Sequence, residues 1–224
     1  EEEMELAKCN GKLPEDVQPE EPEEPSEEVP EEPAEGEETP EEPSEGEEIP
    51  PEEDTEEYPN WQVTNTDYFN ALLGQAQQAV SKGDKSWKIL SSIMKAPEAP
   101  LSTTDNVIVN VLQEGKGNVS PIATDTVRVA YRGRLLPSRS YPEGYVFDQT
   151  YLGTFSSETA NTYKMAVNAT IVGMQTVLHH MHEGDFWRIY IPSELAYGMS
   201  GTTGIPAYSM LIFDIYLDSF WHQK

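Results

Sequence analysis

The chain has 224 residues and a formal net charge of −27, and residues 1–58 hold 27 of its 41 acidic side chains but only 2 of its 14 basic ones. A surface that repels phosphate cannot make the contacts on which nucleic-acid affinity rests, so a nucleic-acid partner is excluded. No segment approaches the ~18 consecutive apolar residues of a membrane-spanning helix, and the lone Cys9 cannot form an internal disulfide.

Residues 15–57 are built from Glu-Glu-Pro units with Ser, Gly and Thr. Almost nothing in them is apolar, and their carboxylates repel one another, so burial cannot offset the entropy of ordering. A disordered Glu/Pro-rich tether over 1–58 is expected, partly polyproline-like. The competing readings are weak calcium binding, mimicry of nucleic acid and retention of a basic partner, but calcium loops need ligands at fixed spacing and none is seen. The chain starts at Glu1 rather than Met, so a leader removed by processing is expected, with room for a lipid anchor upstream of Glu1. Cys9 is a poor anchor itself, because Lys8 precedes it where a small residue belongs.

Residues 59–104 read as a helical lead-in. Tyr68, Leu72, Ala76 and Val80 recur at helical spacing, Thr66 or Asp67 stands where a cap belongs, Gly83 can end the helix, and Trp87 and Leu90 offer a second apolar patch. Packing against the following domain is the expected role, with dimerisation as the alternative.

Residues 105–224 read as short strands around one helix. Val107, Val109 and Val111 alternate with Ile108, Asn110 and Leu112, and Val127, Val129 and Tyr131 alternate with Thr126, Arg128 and Ala130. Later strands are YKMAV, FWRIYI and MLIFDIYL, the last apolar enough to be buried on both faces. In IVGMQTVLHHMHEG, Met174, Val177, Leu178 and Met181 form one helical stripe, and Gly184 stands where a left-handed cap would fall. The fold class is therefore α+β, an antiparallel sheet curved around one short helix. His179 and His182 lie three apart, but with no third ligand in view they are read as structural and no metal is expected.

The succession TVRVAYRGRL, YVFDQT, IVGMQTVLHHMHEG and AYGMSGTTGIPAYSMLIFDIYL resembles the FKBP-type peptidyl-prolyl cis-trans isomerases over roughly residues 105–220, in particular cell-envelope members that carry a tether. That resemblance implies a proline-sized pocket walled by Tyr131, Phe147, Tyr163, Ile171 and Phe213, with Ile205 at one rim and Met174 as its floor. It implies that the Tyr197 hydroxyl meets a substrate carbonyl, that Asp148 sits beside the amide and orients neighbouring tyrosines, and that the Ile171 N–H donates to a second carbonyl. Met174 departs from the family's usual tryptophan, Tyr163 from a more frequent Phe, and LLPSRSYPEGYV is longer than in minimal members. A looser pocket follows.

Rotation about an X-Pro amide breaks no bond, so neither nucleophile, metal nor cofactor is required. What is required is an apolar cleft that favours the twisted amide. Each aromatic taken alone reads more readily as core, and Asp148 alone could equally cap a turn. Only their joint occurrence points to a site. The implied function is an extracytoplasmic prolyl isomerase acting on proline-containing segments of unfolded or exported proteins, with macrolides as further ligands. Two other classes stay open: a proline-peptide binding module or holdase with little turnover because of Met174, and a surface interaction protein centred on the tether and lead-in.

Overall fold

The structure, a computed structural model, describes residues 60–222 apart from positions 97 and 100. The expected tether and Cys9 lie outside the described residues.

Helix α1 spans Trp61–Ser81. It starts before either expected cap: Asn60 precedes it in a left-handed conformation (φ 51°) with no side-chain cap, and Thr66 Oγ1 bonds back to the Gln62 carbonyl inside the helix. Local propensity disfavours a WQVTNT start, but Trp61 and Asn65 bond to residues near position 210, and tertiary contact decides. Gly83 ends the helix as expected, at φ 80°, with its N–H on Val80 and that of Asp84 on Ala79, the paired bonds of a Schellman cap. The buried face is Asn65, Phe69, Leu72, Leu73 and Ala76, whereas Tyr68 and Val80 are exposed, so the stripe is rotated from the expected one.

The lead-in then turns into a strand. β1 (Trp87–Ser91) pairs with β2 (Asn106–Gln113) and forms one edge of a 7-stranded antiparallel sheet. The other strands are β3 (Thr126–Arg134), β4 (Val146–Gln149), β5 (Tyr163–Ala166), β6 (Phe186–Ile191) and β7 (Leu211–Trp221), in the order β1-β2-β6-β7-β3-β4 with β5 also on β3. Helix α2 (Val172–Leu178) packs on one face, where Met174, Val177 and Leu178 meet Val107, Val109, Val127, Trp187, Ile189 and Ile215. Met181 is buried too but lies beyond the helix, and Gly184 caps a later turn rather than the helix end. At the helix end the Nδ1 atoms of His179 and His180 each lie 2.8 Å from a last-turn carbonyl, on Gln175 and Thr176.

The two faces of the sheet are covered by different helices, α2 on one and α1 on the other. Alternation puts Ile108 and Ile212 on the far side, where they join Leu136 and Met210 under α1. Burying Phe69, Leu72 and Leu73 there is worth about 1.5–3 kcal/mol per side chain. Further along that side, Phe155 stacks on Phe186 with ring centroids 4.1 Å apart. Asp214 is held between Arg134 (2.7 Å) and Arg188 (2.6 Å).

Candidate functional site

On the α2 side the sheet is not fully covered. An open cleft of about 1090 Å³ lies between β3, β4, β5, the start of α2 and the loop before β7. All the residues expected from the sequence line it: Tyr131, Phe147, Asp148, Tyr163, Ile171, Met174, Tyr197, Ile205 and Phe213.

Phe213 (β7) is buried and meets Phe147 edge to face with ring centroids 5.5 Å apart and Tyr131 with centroids 6.2 Å apart. These T-shaped contacts match ring edge to ring face. They are possible only because Gly133 lies between β4 and β7: a Cβ there would come within 2.6 Å of the Phe147 ring and 2.7 Å of the Phe213 ring. Sequence reasoning passed over Gly133. The signal was the glycine two residues after Tyr131, in a strand where a glycine weakens pairing unless something must approach closely.

Tyr131 is pinned at both ends. Its hydroxyl donates to Asp148 Oδ2 at 2.6 Å, and its backbone N–H donates to Thr150 Oγ1 at 2.9 Å. Burial, reinforced by that carboxylate, pushes the Tyr131 phenol well above its ordinary value, so it remains a neutral donor. Asp148 orients one tyrosine rather than several, and it is exposed, so the cost of burying a carboxylate is not incurred. Thr150 was also missed, although it stands in YVFDQT two residues beyond Asp148.

Met174 forms the floor, 5% exposed and continuous with the core under α2. At the entrance to α2, Ile171 is extended (ψ 152°), its carbonyl accepts from Gln175, and its N–H has no partner among the described residues. An orphan N–H at a helix start is the donor that a ligand carbonyl can satisfy. Tyr163 and Tyr197 both line the cleft and are 57% and 40% exposed. Ile205 closes one rim in a short turn whose Thr202 and Ile205 exchange backbone bonds, with Gly204 at φ 79°.

The long connection before β4 does reach the rim. Tyr141 and Tyr145 meet edge to face at 5.2 Å beside a shallow groove that shares Thr202 and Ile205 with the cleft. The histidines lie elsewhere: His179 and His180 at the end of α2, His182 3.6 Å from Asp185, and His222 2.6 Å from the fully buried Asp125.

An aromatic cleft with one anchored carboxylate, a free N–H and a rim hydroxyl, set on an antiparallel sheet with a short helix, has the groups to take a small apolar ring flanked by carbonyls. Residues 117–218 match the family described as FKBP-type peptidyl-prolyl cis-trans isomerase. The chain is 38% identical over 109 residues to the Macrophage infectivity potentiator of Trypanosoma cruzi, covering 48% of this chain and 50% of that protein. It is 35% identical over 117 residues to the FKBP-type 22 kDa peptidyl-prolyl cis-trans isomerase of Escherichia coli K12, covering 52% and 50%. To the peptidyl-prolyl cis-trans isomerase Mip of Coxiella burnetii it is 37% identical over 95 residues, covering 42% and 36%. The chain thus spans about half the length, or less, of these relatives. Among the described residues, no helix is long and apolar enough to cross a membrane.

Proposed function

We propose that this chain is a peptidyl-prolyl cis-trans isomerase that binds proline-containing peptide segments in the aromatic cleft. The observation that carries the reading is the convergence of every expected residue on that cleft, with Tyr131 held to Asp148 at 2.6 Å. The planar amide crosses a barrier of about 18–20 kcal/mol. Speeding exchange ten-thousandfold takes only about 5.5 kcal/mol off that barrier, at 1.36 kcal/mol per factor of ten.

In this reading the proline ring lies on Met174 between Phe147, Phe213 and Tyr163, out of water, where the planar amide loses the solvation that favours it. The Ile171 N–H fixes one carbonyl of the peptide. The Tyr197 hydroxyl meets another, and the Asp148 carboxylate faces the carbonyl carbon as the amide twists. These dipoles are in place before the peptide arrives, which is what makes them effective. Macrolides are expected to compete for the same cleft.

The setting proposed is extracytoplasmic, with unfolded or newly exported proteins as substrates; the tether-bearing sequence resemblance supports it, and cell fractionation tests it. The test of function is cis-trans exchange in a short X-Pro peptide. Catalysis requires faster exchange that a macrolide suppresses. Binding without faster exchange instead favours a proline-peptide module or holdase, for which the flexible thioether of Met174 in place of a flat floor is the supporting feature. Neither binding nor faster exchange would remove both readings.

A further inference from the structure

The lead-in helix α1 lies outside the family match at residues 117–218, yet it is bonded to the loop that forms the cleft's rim. Asn65 is 3% exposed, a buried amide in the middle of a helix face that is otherwise apolar. Such a group is costly unless both its ends are satisfied. Its Oδ1 accepts the Met210 N–H at 2.8 Å, and its Nδ2 donates to the Trp61 carbonyl at 2.7 Å. One turn earlier, the Trp61 indole donates to Ser209 Oγ at 3.1 Å, and that hydroxyl donates to the Pro206 carbonyl at 2.6 Å.

From α1, bonds therefore reach residues 206, 209 and 210 of one short segment. The same segment is gripped from the other side: Tyr208, left-handed at φ 60°, donates its N–H to the Gly198 carbonyl at 2.8 Å. A non-glycine residue holds such a conformation only when its surroundings over-determine it. The atoms fixed in this way adjoin the cleft directly. Pro206 follows Ile205, and Gly198 follows Tyr197.

We propose that Asn65 and Trp61 are positioning residues for the isomerase cleft, clamping segment 206–210 so that Ile205 and Tyr197 are held at the rim. This rests on reading the cleft as the proline site. It gives the lead-in helix a role in substrate binding besides covering the sheet, and it predicts that damage to the clamp is felt at the cleft while equal damage elsewhere on α1 is not.

Leu72 supplies the contrast, because its side chain is purely apolar: it shares the cluster beneath α1 with Met210 but makes no hydrogen bond to the loop. Asn65→Ala, Asn65→Asp and Leu72→Ala are compared in the full chain for melting temperature, for KM and kcat on an X-Pro peptide, and for amide exchange at Tyr208. Conditions are chosen so that each variant is fully folded. Asn65→Ala is expected to raise KM roughly fivefold, the size of one lost hydrogen bond, and to speed exchange at Tyr208. Asn65→Asp keeps an acceptor for Met210 but loses the donor to the Trp61 carbonyl and buries a carboxylate against it, so it is expected to recover none of the loss. Leu72→Ala is expected to lower the melting temperature with KM and Tyr208 exchange unchanged. Wild-type KM and exchange in folded Asn65→Ala, or equal changes in Leu72→Ala, would overturn the clamp. If the wild-type chain accelerates no proline peptide, the reading of the cleft fails, and exchange at Tyr208 still decides the clamp.

Discussion

The two faces of the sheet are built from the same kinds of side chain and end in opposite states. On the α1 side, rings and aliphatics meet partners from another layer: Phe155 lies flat on Phe186, and Leu72 and Leu73 bury against the sheet with Ile108 and Ile212. On the α2 side, Tyr131, Phe147 and Phe213 touch one another edge to face while Tyr163 and Tyr197 stay open to solvent. A short α2 leaves the strands beyond it uncovered. Aromatic content does not distinguish core from site here; the absence of an opposing layer does.

That comparison is tested most severely by Leu72→Ala and Gly133→Ala. Leu72→Ala, on the closed side, is expected to cost about 2–5 kcal/mol of stability in denaturant unfolding and to leave peptide KM alone. Gly133→Ala, on the open side, drives a methyl group into the Phe147 and Phe213 rings; it is expected to cost about 1–3 kcal/mol in the same assay and to remove most of the turnover. If the two variants lose activity only in proportion to lost stability, the faces do not differ as described.

Met174→Trp sharpens the comparison by completing the floor. Peptide or macrolide binding is expected to tighten by about 1 kcal/mol in calorimetry if the ring extends into the cleft, and the larger side chain costs about 1–3 kcal/mol of stability against the core beneath. Unchanged affinity in a folded variant would show that ligands do not reach the floor.

Much of this arrangement was legible in the sequence. The strands of the motif region and the cleft residues were readable because they lie in short runs of fixed order, YVFDQT and AYGMSGTTGIP among them. What escaped has physical causes. The span of α1 was misjudged because Trp61 and Asn65 are held by partners some 145 residues away, which no local propensity reflects. The alternation around Ile108 did not show that its side of the strand is buried, because the helix that covers it comes from another part of the chain. Trp87–Ser91 read as an apolar patch of the lead-in but is an edge strand, a pairing that only β2 decides. Gly133 carried no pattern, since its role is to have no side chain.

The pH dependence is a smaller effect. Because burial and Asp148 raise the Tyr131 phenol, its contribution to folding is fully present below about pH 10, where an unfolded tyrosine is still protonated, and is lost as pH rises through the folded-state value. No histidine is among the cleft's lining residues. Turnover is therefore expected to be nearly flat between about pH 6 and 8, where ordinary histidines titrate. A bell-shaped profile in that window would point to acid-base chemistry that the cleft as described does not contain.

The central claim is that the open face performs the isomerisation, and the most direct test compares cis-trans exchange of one X-Pro peptide, by NMR exchange spectroscopy, for the wild-type chain and Tyr197→Phe. The substitution removes a rim hydroxyl but no buried contact, so stability should change by no more than about 0.5 kcal/mol. The account predicts clear acceleration by the wild type and a loss of roughly tenfold or more in Tyr197→Phe at unchanged melting temperature. Full acceleration by Tyr197→Phe, or none by the wild-type chain, would contradict it.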